Sequence, residues 1–268
     1  MIESAELHDV QIGSCVRIIY RLRQFCREAK GCDDAPQTAF YCTDFITQDE
    51  EDSLIDNVLS CPKPKWENLS HRRLQNWGGV LGKKGLIPDN NIPDWLQVVI
   101  EKISALGIFP HDRKPNHVLI NEYLPGQGIM PHEDGPLFHP IITTLTLGSH
   151  GVLDFYRHIG SCATGVGLDD QGSDVSLASR YVGSLLLERR SLIVLTNKLY
   201  TAFLHGISCD TTEDTLTSSS IWNLPLCADK TRAIPGSTLA RGTRISLTIR
   251  NVPRVSKLSI NNLLSNRL

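Results

Sequence analysis

Along this chain the spacing of apolar residues changes character near residue 117. Before that point two segments repeat apolar residues every three or four positions, the period of a helix with one buried face. In "TDFITQDEEDSLIDNVLS", residues 43–60, Leu54, Ile55 and Val58 share a face, and Thr47 with Glu50 three residues on is a capping-box signature. "PDWLQVVIEKISALG", residues 93–107, repeats the pattern, with Pro93 near its start and Gly107 past its end. After residue 117 the period falls to two. "HVLINEYL", "IITTLTLG", "VLDFYR", "SLLLERRSLIVLTN", "TAFLHGI" and "TRISLTIRNV" are short, apolar or β-branched, and bounded by Gly, Pro, Asn or Asp. Six or more short strands following two helices predict a mainly β fold with flanking helices, a sandwich or jelly roll packed on one side by helices.

Two stretches break the strand pattern. Residues 158–180 and 208–240 are dense in Gly, Ser, Thr and Asp and read as long surface loops. At the other end, "CVRIIYRLRQFCREAK" sets Arg17, Arg21, Arg23, Arg27 and Lys30 among apolar residues at roughly helical spacing, as a basic amphipathic helix would. Glu3, Glu6 and Asp9 argue against a transit peptide, so residues 1–36 are expected to be a surface extension. With 268 residues and no mid-chain linker, one domain over 37–256 is expected, followed by a tail at 257–268.

Composition narrows the class. Hydrophobic residues make up 41% of the chain, enough for a core, yet no run approaches the about 18 apolar residues of a membrane span, so no membrane partner is expected. A net charge of −2 rules out a global positive field for nucleic acid, and any such contact must be a local patch. The eight cysteines show neither a CxxC pair nor zinc-type spacing. Reduced thiols in a cytoplasmic and nuclear, monomeric protein fit this pattern, and the sequon at Asn68 would then be idle.

The candidate chemistry lies in "LPGQGIMPHEDGPLFHP", residues 124–140. In an extended chain His132 and Asp134 point to one side and Glu133 to the other. His205, at the end of an apolar run and beside Gly206, could supply a third ligand. Two His and one carboxylate with open positions opposite make the facial triad of non-heme Fe(II) oxygenases. A polar surface turn would carry the same residues, so an independent signal is needed. It comes from "RISLTIR", where alternation puts Arg244, Ser246, Thr248 and Arg250 on one face and Ile245, Leu247 and Ile249 on the other. Buried arginines require anionic partners, and two of them about 20 Å apart along a strand can lean inward around a small dicarboxylate. Iron ligands beside paired arginines suggest 2-oxoglutarate.

These motifs resemble the AlkB family of Fe(II)/2-oxoglutarate dioxygenases, whose pattern is NxY, HxD, a distal His and RxxxxxR. Here the pattern is met by Asn121 and Tyr123, His132 and Asp134, His205, and Arg244 with Arg250, across roughly residues 38–256. The resemblance implies a double-stranded β-helix (jelly roll) core. It also implies Fe(II) held by His132, Asp134 and His205. 2-Oxoglutarate would pair with Arg244, with Asn121, Tyr123, Ser246 and Arg250 completing the pocket. Ser246 departs from the Asn found in many members. The chemistry implied, with O2, is oxidative decarboxylation to succinate and CO2 coupled to hydroxylation of a substrate C–H. On an N-methyl group this releases formaldehyde.

The substrate is less legible. "SHRRLQNWGG", residues 70–79, lies where the family has its substrate lid, and Arg72, Arg73, Gln75, Asn76 and Trp77 would contact alkylated single-stranded nucleic acid through phosphate pairing and base stacking. The opposing reading packs Trp77 in the core, as most tryptophans are, with the arginines solvated. Tyr123 and His139 could border the mouth. A dioxygenase acting on a protein side chain is the competing function, to which the near-neutral charge gives weight.

Overall fold

The computed structural model describes residues 8–12, 15–21, 39–89, 92–159, 176–217 and 220–257. Its elements in chain order are β1 (His8–Ile12), β2 (Cys15–Arg21), β3 (Ala39–Cys42), α1 (Gln48–Leu59), β4 (Glu67–Leu69), β5 (Arg72–Trp77), β6 (Gly79–Gly82), β7 (Gly85–Pro88), α2 (Asp94–Ser104) and β8 (His117–Tyr123). There follow β9 (Ile129–His132), β10 (Ile141–Leu147), β11 (Gly151–Arg157), β12 (Tyr181–Leu187), β13 (Leu192–Thr196), α3 (Asn197–Thr201), β14 (Phe203–Ile207), β15 (Glu213–Thr215), β16 (Thr238–Ala240) and β17 (Arg244–Arg250).

Period-two alternation decides where the layers meet. In β8 and β17, Val118, Ile120, Ile245, Leu247 and Ile249 turn to one side and pack against Leu54 and Val58 of α1 and Leu96, Val99, Ile100 and Ile103 of α2. The opposite side of the same strands carries Asn121, Tyr123, Arg244, Ser246 and Thr248 and faces a second sheet across a cavity. The large sheet runs β1-β2-β3-β13-β10-β17-β8-β5-β4, and the small one β12-β11-β14-β9. Eight of these strands, β13-β10-β17-β8 facing β12-β11-β14-β9, make the double-stranded β-helix core. The apolar inner faces that close it include Tyr41, Leu153, Phe155, Leu185, Leu187, Ile193 and Leu195.

The helices follow their sequence signals. Thr47 accepts from the Glu50 amide while Glu50 accepts from the Thr47 amide, a closed capping box that contributes about 1 kcal/mol. Pro93 is the N-cap of α2, and Gly107, at φ 68°, takes the left-handed turn beyond its end. The strand pattern needs four corrections. "SLLLERRSLIVLTN" is not one strand but β12 and β13, broken at Arg190, whose φ of 64° turns the chain. The loop sequence 124–140 contains the four-residue β9, and the insert 208–240 contains the β15–β16 pair. "CVRIIYR" is the strand β2, joined to β3 through Tyr20↔Tyr41 and Arg21↔Phe40, where helical spacing predicted a helix. Its β-branched Val16, Ile18 and Ile19 favour the extended form. Arg23, Arg27 and Lys30 lie outside the described residues, as do 160–175 of the first insert and 258–268 of the tail.

Candidate metal and cosubstrate site

β9 and β14 are antiparallel neighbours, and their register sets His132 directly opposite His205, with ring centroids 4.6 Å apart. The register then slips: the next paired residues are Ile129 and Ile207, so Met130 and Pro131 form a bulge. The bulge puts both Ile129 and His132 on the cavity side and leaves Met130 exposed. It needs a glycine opposite, because a Cβ on Gly206 would stand 2.9 Å from the Ile129 carbonyl oxygen and from Pro131 N. The Met130 carbonyl accepts from His132 Nδ1 at 2.9 Å, which fixes the tautomer and leaves Nε2 as the free lone pair.

Asp134 follows in extended chain. Its side chain is 7% exposed, with Oδ2 3.3 Å from His205 Nε2 and Oδ1 2.5 Å from Arg250 Nη1. Glu133 points away, 46% exposed and paired with His158 at 3.3 Å. The alternation expected for "HED" is therefore the register found. Burial alone would raise the Asp134 carboxyl, but the His205 hydrogen bond and the Arg250 charge outweigh it and hold the pKa at about 2. Burial and the neighbouring His205 push His132 down, so its neutral, ligating form is favoured. No group of three His, Cys, Asp or Glu among the described residues encloses an ion position as it stands. Both Asp134 oxygens are instead taken by side chains, Oδ1 by Arg250 and Oδ2 by His205. The donor set nevertheless suits Fe(II): an ionised carboxylate and two imidazoles, in a pocket where a metal would replace the His205–Asp134 contact.

The arginine strand separates its two charges. Across β8 and β17 the register pairs Tyr123 with Arg244 and Asn121 with Ser246, and β10 adds Thr146 opposite Ser246. Arg244 is 5% exposed, donates from Nη2 to Thr146 Oγ1 at 3.0 Å, and lies 5.6 Å from the Tyr123 ring centroid. Its Nε has no partner, and among the described residues no carboxylate pairs with it. Burial lowers its pKa to about 10. Room for its side chain depends on Gly151, where a Cβ would stand 2.9 Å from Arg244 Cδ. The cavity between Arg244 and His132 holds about 570 Å³ of empty space, its mouth included. A buried cation without a counter-ion at one end of a cavity, and a metal-type donor set at the other, fit a dicarboxylate that chelates the metal.

Arg250 was expected to help enclose the cosubstrate. It does not border the cavity but lies behind Asp134, its Cζ 4.1 Å from the Phe138 ring centroid. It orients the carboxylate, and of the two arginines only Arg244 lines the cavity. His150, which could have served as a third ligand, does not line the cavity but pairs with Asp214 beside Arg241. His139 does not line the cavity.

The proposed substrate stretch is a strand, β5, and its alternation divides the five residues. Arg73, Gln75 and Trp77 lie on the helix side. Arg73 pairs with Glu122 above the Trp66 ring, Gln75 donates to the Val58 carbonyl at 3.0 Å, and Trp77 meets Trp95 edge-on at 6.0 Å under Lys65 Nζ. These three support the sheet rather than touch a substrate, because tertiary packing satisfies them from behind. Asn76 is exposed on the other face. Arg72 does not line the cavity itself but touches a residue that does, donating from Nε to Asn121 Oδ1 at 3.1 Å. Sequence reasoning missed Gly151, Thr146 and the bulge at Met130; only the bulge left a trace in the sequence, in the Gly206 that it needs opposite.

The 2OG-Fe(II) oxygenase superfamily model matches residues 88–250. The chain is 48% identical over 227 residues to the zebrafish (Danio rerio) protein "Probable RNA/DNA demethylase ALKBH6", covering 85% of this chain and 91% of that one. The chain belongs to the AlkB family of Fe(II)/2-oxoglutarate-dependent dioxygenases. The motif stretches "RRLQNWGG", "NHVLINEYLPGQGIMPHEDGP" and "RGTRISLTIRNVPRV" resemble AlkB homologue 6, in agreement with that relative. It is also 29% identical over 222 residues to the macaque (Macaca fascicularis) "tRNA (carboxymethyluridine(34)-5-O)-methyltransferase ALKBH8", covering 78% of this chain and 29% of that longer one. "The structure of OsALKBH1" superposes with a TM-score of 0.45 at 14% identity, covering 80% of this chain and 96% of that one. As an AlkB-family oxidoreductase the protein uses Fe(II), 2-oxoglutarate and O2.

Proposed function

We propose that this dioxygenase is an oxidative demethylase of alkylated bases in single-stranded nucleic acid. The observation that carries the reading is the extent of identity to a protein named as a probable RNA/DNA demethylase. Arg72 agrees with it, a cation on the cavity side whose charge is felt at both His132 and Tyr123. In this reading His132, Asp134 and His205 hold Fe(II), Arg244 takes the distal carboxylate of 2-oxoglutarate, and Asn121, Tyr123 and Ser246 line the pocket between them. When bound, metal, cosubstrate and O2 supply the oxidising chemistry, with succinate and CO2 leaving. The chain itself contributes orientation and dryness. The Met130 carbonyl keeps His132 in its ligating tautomer, Arg250 and Phe138 hold the Asp134 carboxylate, and Leu153, Leu187 and Leu195 keep water from the cavity. Hydroxylation of an N-methyl group gives a hemiaminal that releases formaldehyde and the unmodified base.

Pro136, two residues past Asp134, is exposed and carries no charge with which to attract a cationic base. Weak repair of 1-methyladenine and 3-methylcytosine in duplex DNA is therefore expected, since flipping from a duplex costs a few kcal/mol that a single strand avoids. Formaldehyde release from matched single- and double-stranded methylated oligonucleotides tests this, with Asp134→Ala as the blank. Robust duplex repair would overturn the single-strand preference. Succinate formation stimulated by methylated peptides, with silence on every oligonucleotide, would move the substrate to a protein side chain.

A further inference from the structure

The chain leaves β17 at Arg250, the metal end, and residues 251–257 continue past the barrel. This extension fastens two other segments to that end. The β6–β7 hairpin is held through the Leu86 amide donating to the Arg254 carbonyl and the Ser256 amide donating to the Leu86 carbonyl, both at 2.8 Å. Residues 111–116 are held through Asn251 Nδ2 donating to the Lys114 carbonyl at 2.7 Å and Asn116 Nδ2 donating to the Val252 carbonyl at 3.0 Å. Gly85 must be glycine for the first of these joints, because its φ is 139° and a Cβ would stand 2.1 Å from the Arg254 carbonyl oxygen. Leu86 and Val252 also pack with Phe138, the ring that underlies Arg250. The hairpin is thus packed directly onto the loop that carries Asp134.

What these three segments share is charge. Lys83, Lys84, Arg113, Lys114 and Arg254 line two adjoining grooves that have Val255 in common, and the exposed Lys257 follows. Asp112 is the one carboxylate lining either groove, and it is taken up by Arg113 at 3.3 Å. Among the described residues none of Lys83, Lys84, Lys114, Arg254 or Lys257 has an ion-pair partner. In a chain of net charge −2, six cations against one carboxylate along these grooves is a local concentration. No Phe, Tyr or Trp lines either groove, so phosphate contacts dominate what the surface offers.

We infer that the β6–β7 hairpin, residues 111–114 and the 251–257 extension form a phosphate track that holds the flanking nucleotides of a single strand while the modified base enters beside His132. The inference rests on the demethylase reading and extends it. It assigns the cations that read the backbone to a surface apart from Arg72, and it predicts that binding is indifferent to sequence and to methylation.

The test is fluorescence anisotropy with an unmodified, labelled single-stranded oligonucleotide, titrated at several salt concentrations. Wild type is compared with the quadruple variant Lys83→Gln, Lys84→Gln, Arg254→Gln, Lys257→Gln. Each phosphate contact on a single strand contributes about 0.7 to the slope of log affinity against log salt, so removing four should make the slope shallower by about 3. Between about 50 and about 200 mM salt, wild type should then lose roughly fifty-fold more affinity than the variant. Lys83→Arg with Lys84→Arg and Lys257→Arg should keep the wild-type slope, as should Lys230→Gln with Arg232→Gln on the 208–240 insert. A slope unchanged in the quadruple variant, equal loss in the insert variant, or tighter binding to acidic peptide than to the oligonucleotide would each overturn the track. Because the probe is unmodified, binding by the track with no formaldehyde from any methylated strand would instead reject the demethylase reading alone.

Discussion

Replacing Arg244 by Met should move two measurements in opposite directions. The guanidinium is 5% exposed, its Nε is unpartnered, and its recorded hydrogen bond goes to a neutral hydroxyl, Thr146 Oγ1. Its pKa, lowered from 12.5 to about 10 by burial, measures a cation held where the free protein does not compensate it, about 3 kcal/mol at about 1.4 kcal/mol per unit. A neutral side chain of similar length relieves that cost, so the variant should be as stable as wild type in urea without cosubstrate, or more stable by up to about 3 kcal/mol. The same energy is what a carboxylate recovers on binding, so 2-oxoglutarate affinity should fall on the order of a hundred-fold. Urea midpoints with Mn(II) in place of Fe(II) read both effects. At a 2-oxoglutarate concentration about 100 times its dissociation constant, wild type gains about 2.7 kcal/mol, while a variant binding a hundred-fold more weakly gains about 0.4. Gly151→Ala, which crowds Arg244 Cδ without removing the charge, should weaken binding to a smaller degree. A variant that is less stable without cosubstrate yet gains the same increment with it would refute the reasoning, since Arg244 would then be satisfied by the protein.

Asp134→Ala should abolish iron-dependent succinate formation and Glu133→Ala should leave most of it, because only Asp134 shares the cavity face with His132; equal loss would reject the register. His117 is fully buried with both ring nitrogens unpartnered, and burial followed by the Arg250 charge lowers its pKa from 6.5 to about 3. Below pH 6.5 the unfolded chain therefore takes up a proton that the folded chain refuses until about pH 3, and stability falls with pH across that window. From about pH 7 to about pH 5, wild type should lose about 2 kcal/mol more than His117→Phe in urea denaturation; parallel losses would show that the imidazole is solvated. Trp77→Ala should lower stability by about 3 kcal/mol through its contacts with Trp95 and Lys65 while leaving the salt slope of oligonucleotide binding unchanged, and a changed slope would restore it to the substrate face.

The parts legible in the sequence were those set by the chain's own periodicity. The alternation in 244–250 gave the two faces of β17, a central strand with Ile245, Leu247 and Ile249 on the helices and Arg244, Ser246 and Thr248 on the cavity. "HED" was legible for the same reason, because Asp134 continues the extended chain of β9. β5 defeated the same method. "RRLQNW" has polar residues at both parities, and its inward face is polar, with Gln75 satisfied by the Val58 carbonyl of α1 and Arg73 by Glu122 of β8. No local pattern foretells partners supplied by distant elements. The N-terminal segment misled in the opposite sense. Arginines at helical spacing overrode the β-branched run that pairs with β1, in a strand whose end joins β3.

Arg244 and Arg250 show where the boundary lies. On one strand face, six residues apart, with the same side chain and nearly the same burial, they are indistinguishable to any argument from spacing. Only the third dimension separates them: Arg250 meets Asp134 at 2.5 Å, and Arg244 meets a hydroxyl. A buried cation that the protein satisfies is a scaffold, and its removal should leave a stranded carboxylate. A buried cation left unsatisfied is stable only because the rest of the fold bears its cost, and an anionic ligand returns that energy. In the proposed reading the paired arginines of the motif are therefore two different devices, one holding the Asp134 carboxylate and the other left for an anionic ligand.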